Sequence, residues 1–126
     1  LDWTLQGLLG YIVWPFSWLM GIPAADCSVI SRLIGEKTII NEFVAYTSFS
    51  NLLSSGISLS PRTVVIASYA LCGFANFGSA AIWIGGIGTI VPTKRRELAS
   101  LAIKCILGGT LATFMTASVA GFFYSG

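Results

Sequence analysis

The sequence predicts an all-α integral membrane chain, and three observations predict it. More than half of the 126 residues are hydrophobic and only 10% are charged, giving a mean hydropathy of +0.82, whereas a soluble domain has about a quarter charged residues. The apolar residues lie in runs of helical length, and a bilayer crossing needs roughly 20 of them. Polar residues and glycines interrupt those runs in the middle, the pattern of re-entrant and discontinuous helices. A hydrophobic secreted lipid binder is the soluble competitor, but the chain has too few polar residues to cover a dispersed surface.

The formal charge of +2 gives no footprint for nucleic acid. Histidine is absent, which removes the commonest general base and metal ligand. Cys27, Cys72 and Cys105 have no paired spacing. In apolar surroundings they read as small buried hydrophobes, with neither a disulfide framework nor a metal site indicated. The opening Leu-Asp-Trp has no initiator Met and no basic leader, so a piece of a longer chain is expected.

Residues 1–25 bring together Trp3, Tyr11, Trp14, Phe16 and Trp18, with no charge from 3 to 25. Aromatics at this density suit the headgroup level, and Pro15 disfavours an unbroken helix. An interfacial or tilted helix is predicted. Residues 26–48 hold Asp26, Arg32, Glu36, Lys37 and Glu42, five of the twelve charged residues. A clean crossing would not tolerate them, and two short helices meeting around Gly35 and Glu36 would, so a re-entrant hairpin is predicted. Residues 49–62, rich in Ser, Gly and Pro, read as an extracytoplasmic loop, with Ser60-Pro61 starting the next helix.

Residues 63–91 are uncharged but carry Gly73, Asn76 and Gly78 at the centre. Glycine costs about 1 kcal/mol against alanine in a helix interior, so a transmembrane helix unwound at its middle is expected, with packing through small residues as the alternative. Alanine at Gly73 and Gly78 would then favour a continuous helix without loss of stability. Residues 92–97, PTKRRE, form a basic loop that faces the cytoplasm by the positive-inside rule. Residues 98–126 make the final transmembrane helix, with a small-residue face running from Gly108 to Ala120 and Lys104 snorkelling near its cytoplasmic end. The C-terminus and the 49–62 loop then lie outside, and the hairpin enters from that side.

The stretch GEKTIINEFVAY, 35–46, resembles the signature of the concentrative nucleoside transporter family (NupC-like). ALCGFANFGS, 70–79, is similar to that family's second block, and the spacing of Gly85, Gly86, Gly88, Pro92, Arg95, Leu98 and Ala99 also fits. The resemblance covers nearly the whole chain, as the C-terminal third of such a transporter. It implies half of an inverted-repeat transport domain in a multi-pass homotrimer of the plasma membrane or bacterial inner membrane. It also implies cation-coupled nucleoside import by alternating access. The other repeat, N-terminal to this one, would hold the coupling ion, Na+ or H+, and most contacts to the base.

The chemistry fits a neutral nucleoside. Ribose hydroxyls donate, a carboxylate only accepts, and a charge-assisted bond is about twice as strong as a neutral one. That is a reason to keep Glu42 near the membrane middle at a cost of a few kcal/mol. The resemblance assigns Glu42, Asn76 and Ser79 to the ribose and Phe74 to packing against the nucleoside. Lys37 and Asn41, four apart on a helix face, read as hairpin-holding or site-adjacent residues, with a Lys37–Glu42 ion pair as the bland alternative. Arg32 and Asp26 read as interfacial. No catalytic residue, metal ligand or cofactor is assigned. A non-transporting subunit with polar residues for helix packing is the competing function. A membrane enzyme with Glu42 as base lacks any partner dyad.

Overall fold

The structure, a computed structural model, describes residues 3–125. Leu1, Asp2 and Gly126, at the outer ends of the first and last expected segments, lie outside the described residues. Six α-helices follow in order: α1 (Leu5–Leu19), α2 (Ala24–Ile39), α3 (Glu42–Ser54), α4 (Pro61–Ala70), α5 (Phe77–Ile90) and α6 (Arg95–Phe123). No strand occurs among the described residues.

Small residues let α1 lie against α2. Gly7, Gly10 and Ser17 are the buried positions of α1. A β-carbon at Gly10 would stand 3.3 Å from Arg32 Cα, and one at Gly35 would run into Gln6 O. The hydroxyls of Ser17 and Ser31 meet at 2.8 Å across this seam. Gly21 ends α1 with φ +95°, a backbone that glycine adopts without a Cβ penalty. Pro15 sits inside α1 without breaking it; its missing N–H costs one bond to the preceding turn.

Close packing explains the first correction. Gly35 is where α2 approaches α1, so it stays helical, and the break falls at Ile40 and Asn41 instead. Asn41 is extended (φ −168°, ψ 173°) and its Oδ1 accepts from the Val44 N–H at 2.9 Å, starting α3. Lys37 and Asn41 therefore do not share a helix face. The expected 49–62 loop is also shortened, because α3 continues to Ser54 with Phe49 buried and Leu52 packed on the core. Ser60 and Pro61 start α4 as expected, and the Ser60 hydroxyl accepts from the Thr63 N–H.

Asp26, read as interfacial, is buried and ties two helices together. Its Oδ2 accepts from the Ser60 N–H at 3.2 Å and from the Thr63 hydroxyl. Arg62 Nε donates to Gly21 O at 3.2 Å. Together these fasten the α1–α2 turn to the start of α4.

The core joins Ile30, Leu33 and Ile34 of α2, Ala45 and Phe49 of α3, Ile66, Ala67 and Ala70 of α4, and Phe114 and Ala117 of α6. A smaller cluster joins Ala80 of α5 to Ala102 and Ile106 of α6. The expected 92–97 loop is a single 3-10 turn, Pro92–Lys94, after which Arg95 already begins α6. The Arg95 stem lies against Gly88, and Lys94 pairs with Glu97 at 2.8 Å, so the basic cluster lies at the start of a helix rather than in a loop. The Pro92–Phe123 stretch is long and apolar enough to cross a membrane, and Phe77–Ile90 is a shorter apolar helix. Cys27 is buried as expected, but Cys72 and Cys105 are exposed on this chain, because one lies in a helix interruption and the other on the outer face of α6.

Candidate functional site

Residues 71–76 interrupt what the sequence presents as one long apolar run, and every carbonyl that the interruption frees at the end of α4 is taken. Leu71 N–H returns to Ala67 O at 2.9 Å and Cys72 N–H to Tyr69 O at 3.2 Å. The Tyr46 hydroxyl donates to Ser68 O, and Lys37 Nζ donates to Ala70 O at 3.3 Å. The last four carbonyls of a helix have no partner within it. Two side chains of the neighbouring helix pair thus supply what the broken helix lacks.

Asn76 rebuilds the helix on the far side. It is extended (φ −145°, ψ 165°), and its Oδ1 accepts from the Ser79 N–H at 2.7 Å. The same side chain, with no exposed surface, donates from Nδ2 to Glu42 Oε2 at 2.7 Å. Glu42 is the first residue of α3, so the two breaks meet: a β-carbon on Gly78 would lie 3.2 Å from Ile40 O. Two helix N-termini converge there, each begun by an asparagine. Among the described residues the N–H groups of Glu42, Phe43, Phe77 and Gly78 have no protein partner, and neither do Glu42 Oε1 and the Ser79 hydroxyl. Partial positive charge at both N-termini faces this place. The place offers open donors, one open carboxylate oxygen and one hydroxyl, which suits a neutral ligand rich in hydroxyls.

Glu42, Asn76 and Ser79 are therefore brought together as the sequence predicts, while Lys37 binds Ala70 O rather than Glu42. Phe74 projects from the interruption, 72% exposed, with Phe43 (76%) and Phe77 (45%) on the same two breaks; their faces are uncovered within this chain. Asn41 serves as the N-cap of α3. Glu36 accepts from the Ser48 hydroxyl at 3.1 Å and lines a separate open cavity of about 710 Å³ with Gln6, Arg32 and Asn51. Neither Glu42 nor Asn76 lines that cavity, so the candidate site is the polar convergence rather than this hollow. Sequence reasoning missed Tyr46 and Thr113. Tyr46 stands inside the GEKTIINEFVAY signature, and accounting for the carbonyls freed by the interruption would have found it.

The break expected between Gly73 and Gly78 is present, but the expectation that alanine at Gly73 leaves stability unharmed is reversed. Gly73 lies against Thr113 of α6, where a β-carbon would collide with Thr113 Oγ1, and Gly109 of α6 faces Ala75 with only 3.0 Å to spare for one. These glycines permit close approach; neither has positive φ. Gly73→Ala is expected to destabilise by about 1–3 kcal/mol through overpacking, lowering the thermal midpoint. Adding Thr113→Ala should recover part of that loss. A midpoint unchanged by Gly73→Ala would refute this packing role.

A family model described as the Na+ dependent nucleoside transporter C-terminus matches residues 1–121. The chain belongs to this family. Solute carrier family 28 member 3 of Mus musculus is 44% identical over 130 residues, covering 94% of this chain and 18% of that protein. The nucleoside permease NupC of Helicobacter pylori is 41% identical over 122 residues, covering 95% and 29%. Among solved structures, CNTnw in an inward-facing substrate-bound state matches with a TM-score of 0.87 and 43% identity, over 97% of this chain and 30% of that one. A CNTnw variant in an outward-facing state matches with a TM-score of 0.90 and 42% identity, over 97% and 31%. This chain thus spans less than a third of each of these relatives. The relatives are transporters, and the match places this helical chain among membrane proteins.

Proposed function

We propose that this chain is the C-terminal, substrate-binding part of a cation-coupled nucleoside symporter that imports nucleosides by alternating access. The observation that carries this reading is the 2.7 Å bond between Glu42 and Asn76, which joins the α2–α3 break to the α4–α5 break. Glu42 Oε1 accepts a ribose hydroxyl, Asn76 and Ser79 complete the ribose contacts, and Phe74 packs against the nucleoside. Lys37 and Asn41 hold the frame.

In this reading α2 and α3 form the re-entrant hairpin, α4 and α5 the discontinuous crossing, α6 the final crossing, and α1 lies along the interface. The other repeat binds the coupling ion, Na+ or H+, and three copies assemble in the plasma membrane or bacterial inner membrane. High similarity to both an inward-facing and an outward-facing state supports a segment that travels as one body.

The test is uptake by the full-length transporter, with and without Na+, comparing a ribonucleoside with its deoxy form. Ser79→Ala removes a neutral hydrogen bond, about 0.5–1.5 kcal/mol, and is expected to erode preference for the ribo form by up to about tenfold. Equal loss for both forms would refute the ribose role of Ser79. No uptake of any nucleoside by the wild type would refute the function.

A further inference from the structure

Lys37 has no exposed surface and lies in the last turn of α2. Among the described residues it makes no ion pair; its one hydrogen bond is the 3.3 Å donation to Ala70 O. Ala70 is the last residue of α4, so that carbonyl belongs to the negative end of the α4 dipole. The groups facing the ammonium come from three elements. From α4 there is the Ala70 carbonyl, with Ser68 O two residues back held by Tyr46 of α3. From α3 there is the Glu42 carboxylate, within Coulombic reach, and from the interruption the Cys72 thiol. A carbonyl at a half-helix C-terminus with a carboxylate near by is an environment that binds desolvated monovalent cations in transporters with broken helices.

We infer that the C-terminal end of α4 is a monovalent-cation site, filled by the ammonium of Lys37 as a cation carried on the chain itself. The consequence is functional. The α4–α5 interruption keeps its compensating charge throughout the transport cycle, and this half of the transporter takes up no exchangeable ion. Shortening the side chain opens the position to a small external cation. The inference rests on the proposed function only for its place beside the nucleoside; occupation of the position is a matter of this chain's own packing.

The experiment uses the purified full-length transporter without Na+, with ethylammonium as the probe and ethanol as its uncharged counterpart. Lys37→Ala is expected to have a lowered thermal midpoint that ethylammonium raises by a few degrees once well above its Kd. Ethanol should not raise it, and wild type should respond to neither. Lys37→Met, which fills the space without charge, should be lowered and unresponsive. Equal response of Lys37→Ala to ethylammonium and ethanol, or no response, overturns the inference, as does a Lys37→Met midpoint equal to wild type. If Lys37→Ala does not fold, Lys37→Arg against Lys37→Met decides: Arg must lie closer to wild type, and Met at or above Arg overturns it. Nucleoside binding by wild type in the same preparation reports separately on the proposed function. Its absence beside an intact ethylammonium response would sink that function and leave the cation site standing.

Discussion

Glu42→Gln in the full-length transporter is expected to weaken nucleoside affinity by about ten- to a hundredfold while leaving the fold intact. The carboxylate has two oxygens with separate duties. Oε2 accepts from Asn76 Nδ2, and a glutamine can keep that bond by turning its amide oxygen to the same place. Oε1 has no protein partner among the described residues, and glutamine replaces it with an NH2 group that donates. A ribose hydroxyl that donated to a carboxylate then meets a donor. Losing a hydrogen bond to a charged group costs about 1.5–3 kcal/mol, and each 1.4 kcal/mol is about a factor of ten. Because the isostere keeps the Asn76 contact, the thermal midpoint should move little. Equilibrium binding of uridine, beside a melting curve, separates the two effects. Unchanged affinity would remove Glu42 from the ribose site, and a collapsed midpoint would make it a structural residue.

The helical class was legible in the composition and the interruption near Asn76 in the polar residues of an apolar run, whereas the grouping of Glu42, Asn76 and Ser79 came from the family resemblance. A carboxylate or an asparagine in a hydrophobic run demands a partner, and each turned out to have the other. The position of the hairpin break was not legible. Gly35 looks like a turn, yet a glycine serves equally where another backbone must come close, and only the packed structure shows Gln6 and Gly10 of α1 against it. Gly73 misled in the same way, since its neighbour Thr113 is 40 positions further along the chain. The partners of Asp26, Ser60 and Thr63, lie more than 30 residues on, so its role as a tie was not legible locally. Local rules thus found where the chain is polar against expectation, and long-range contacts decided what each polar or small residue does.

Asn76→Ala should have the largest combined effect on folding and binding, because one side chain performs three tasks. Its Oδ1 caps α5 through the Ser79 N–H, and replacing an asparagine cap by alanine costs about 0.5–2 kcal/mol. Its Nδ2 is the protein donor to Glu42 Oε2, and losing a bond to a charged group costs about 1.5–3 kcal/mol more. The third task is to fix the Glu42 carboxylate where Oε1 can meet a hydroxyl. Freed of that bond, the Glu42 side chain has no hydrogen bond among the described residues, so its geometry loosens. Asn76→Asp separates the tasks. Aspartate caps a helix as well as asparagine does, but it presents a second carboxylate to Glu42 instead of a donor. The thermal midpoint should fall for both variants. Nucleoside binding should fall by more than the Glu42→Gln loss in Asn76→Ala, and Asn76→Asp should recover at low pH, where one of the two carboxylates takes a proton and can again donate to the other. The check is binding and melting of both variants across pH. Binding by Asn76→Asp that does not rise on acidification would show that the bond to Glu42 does not set the site.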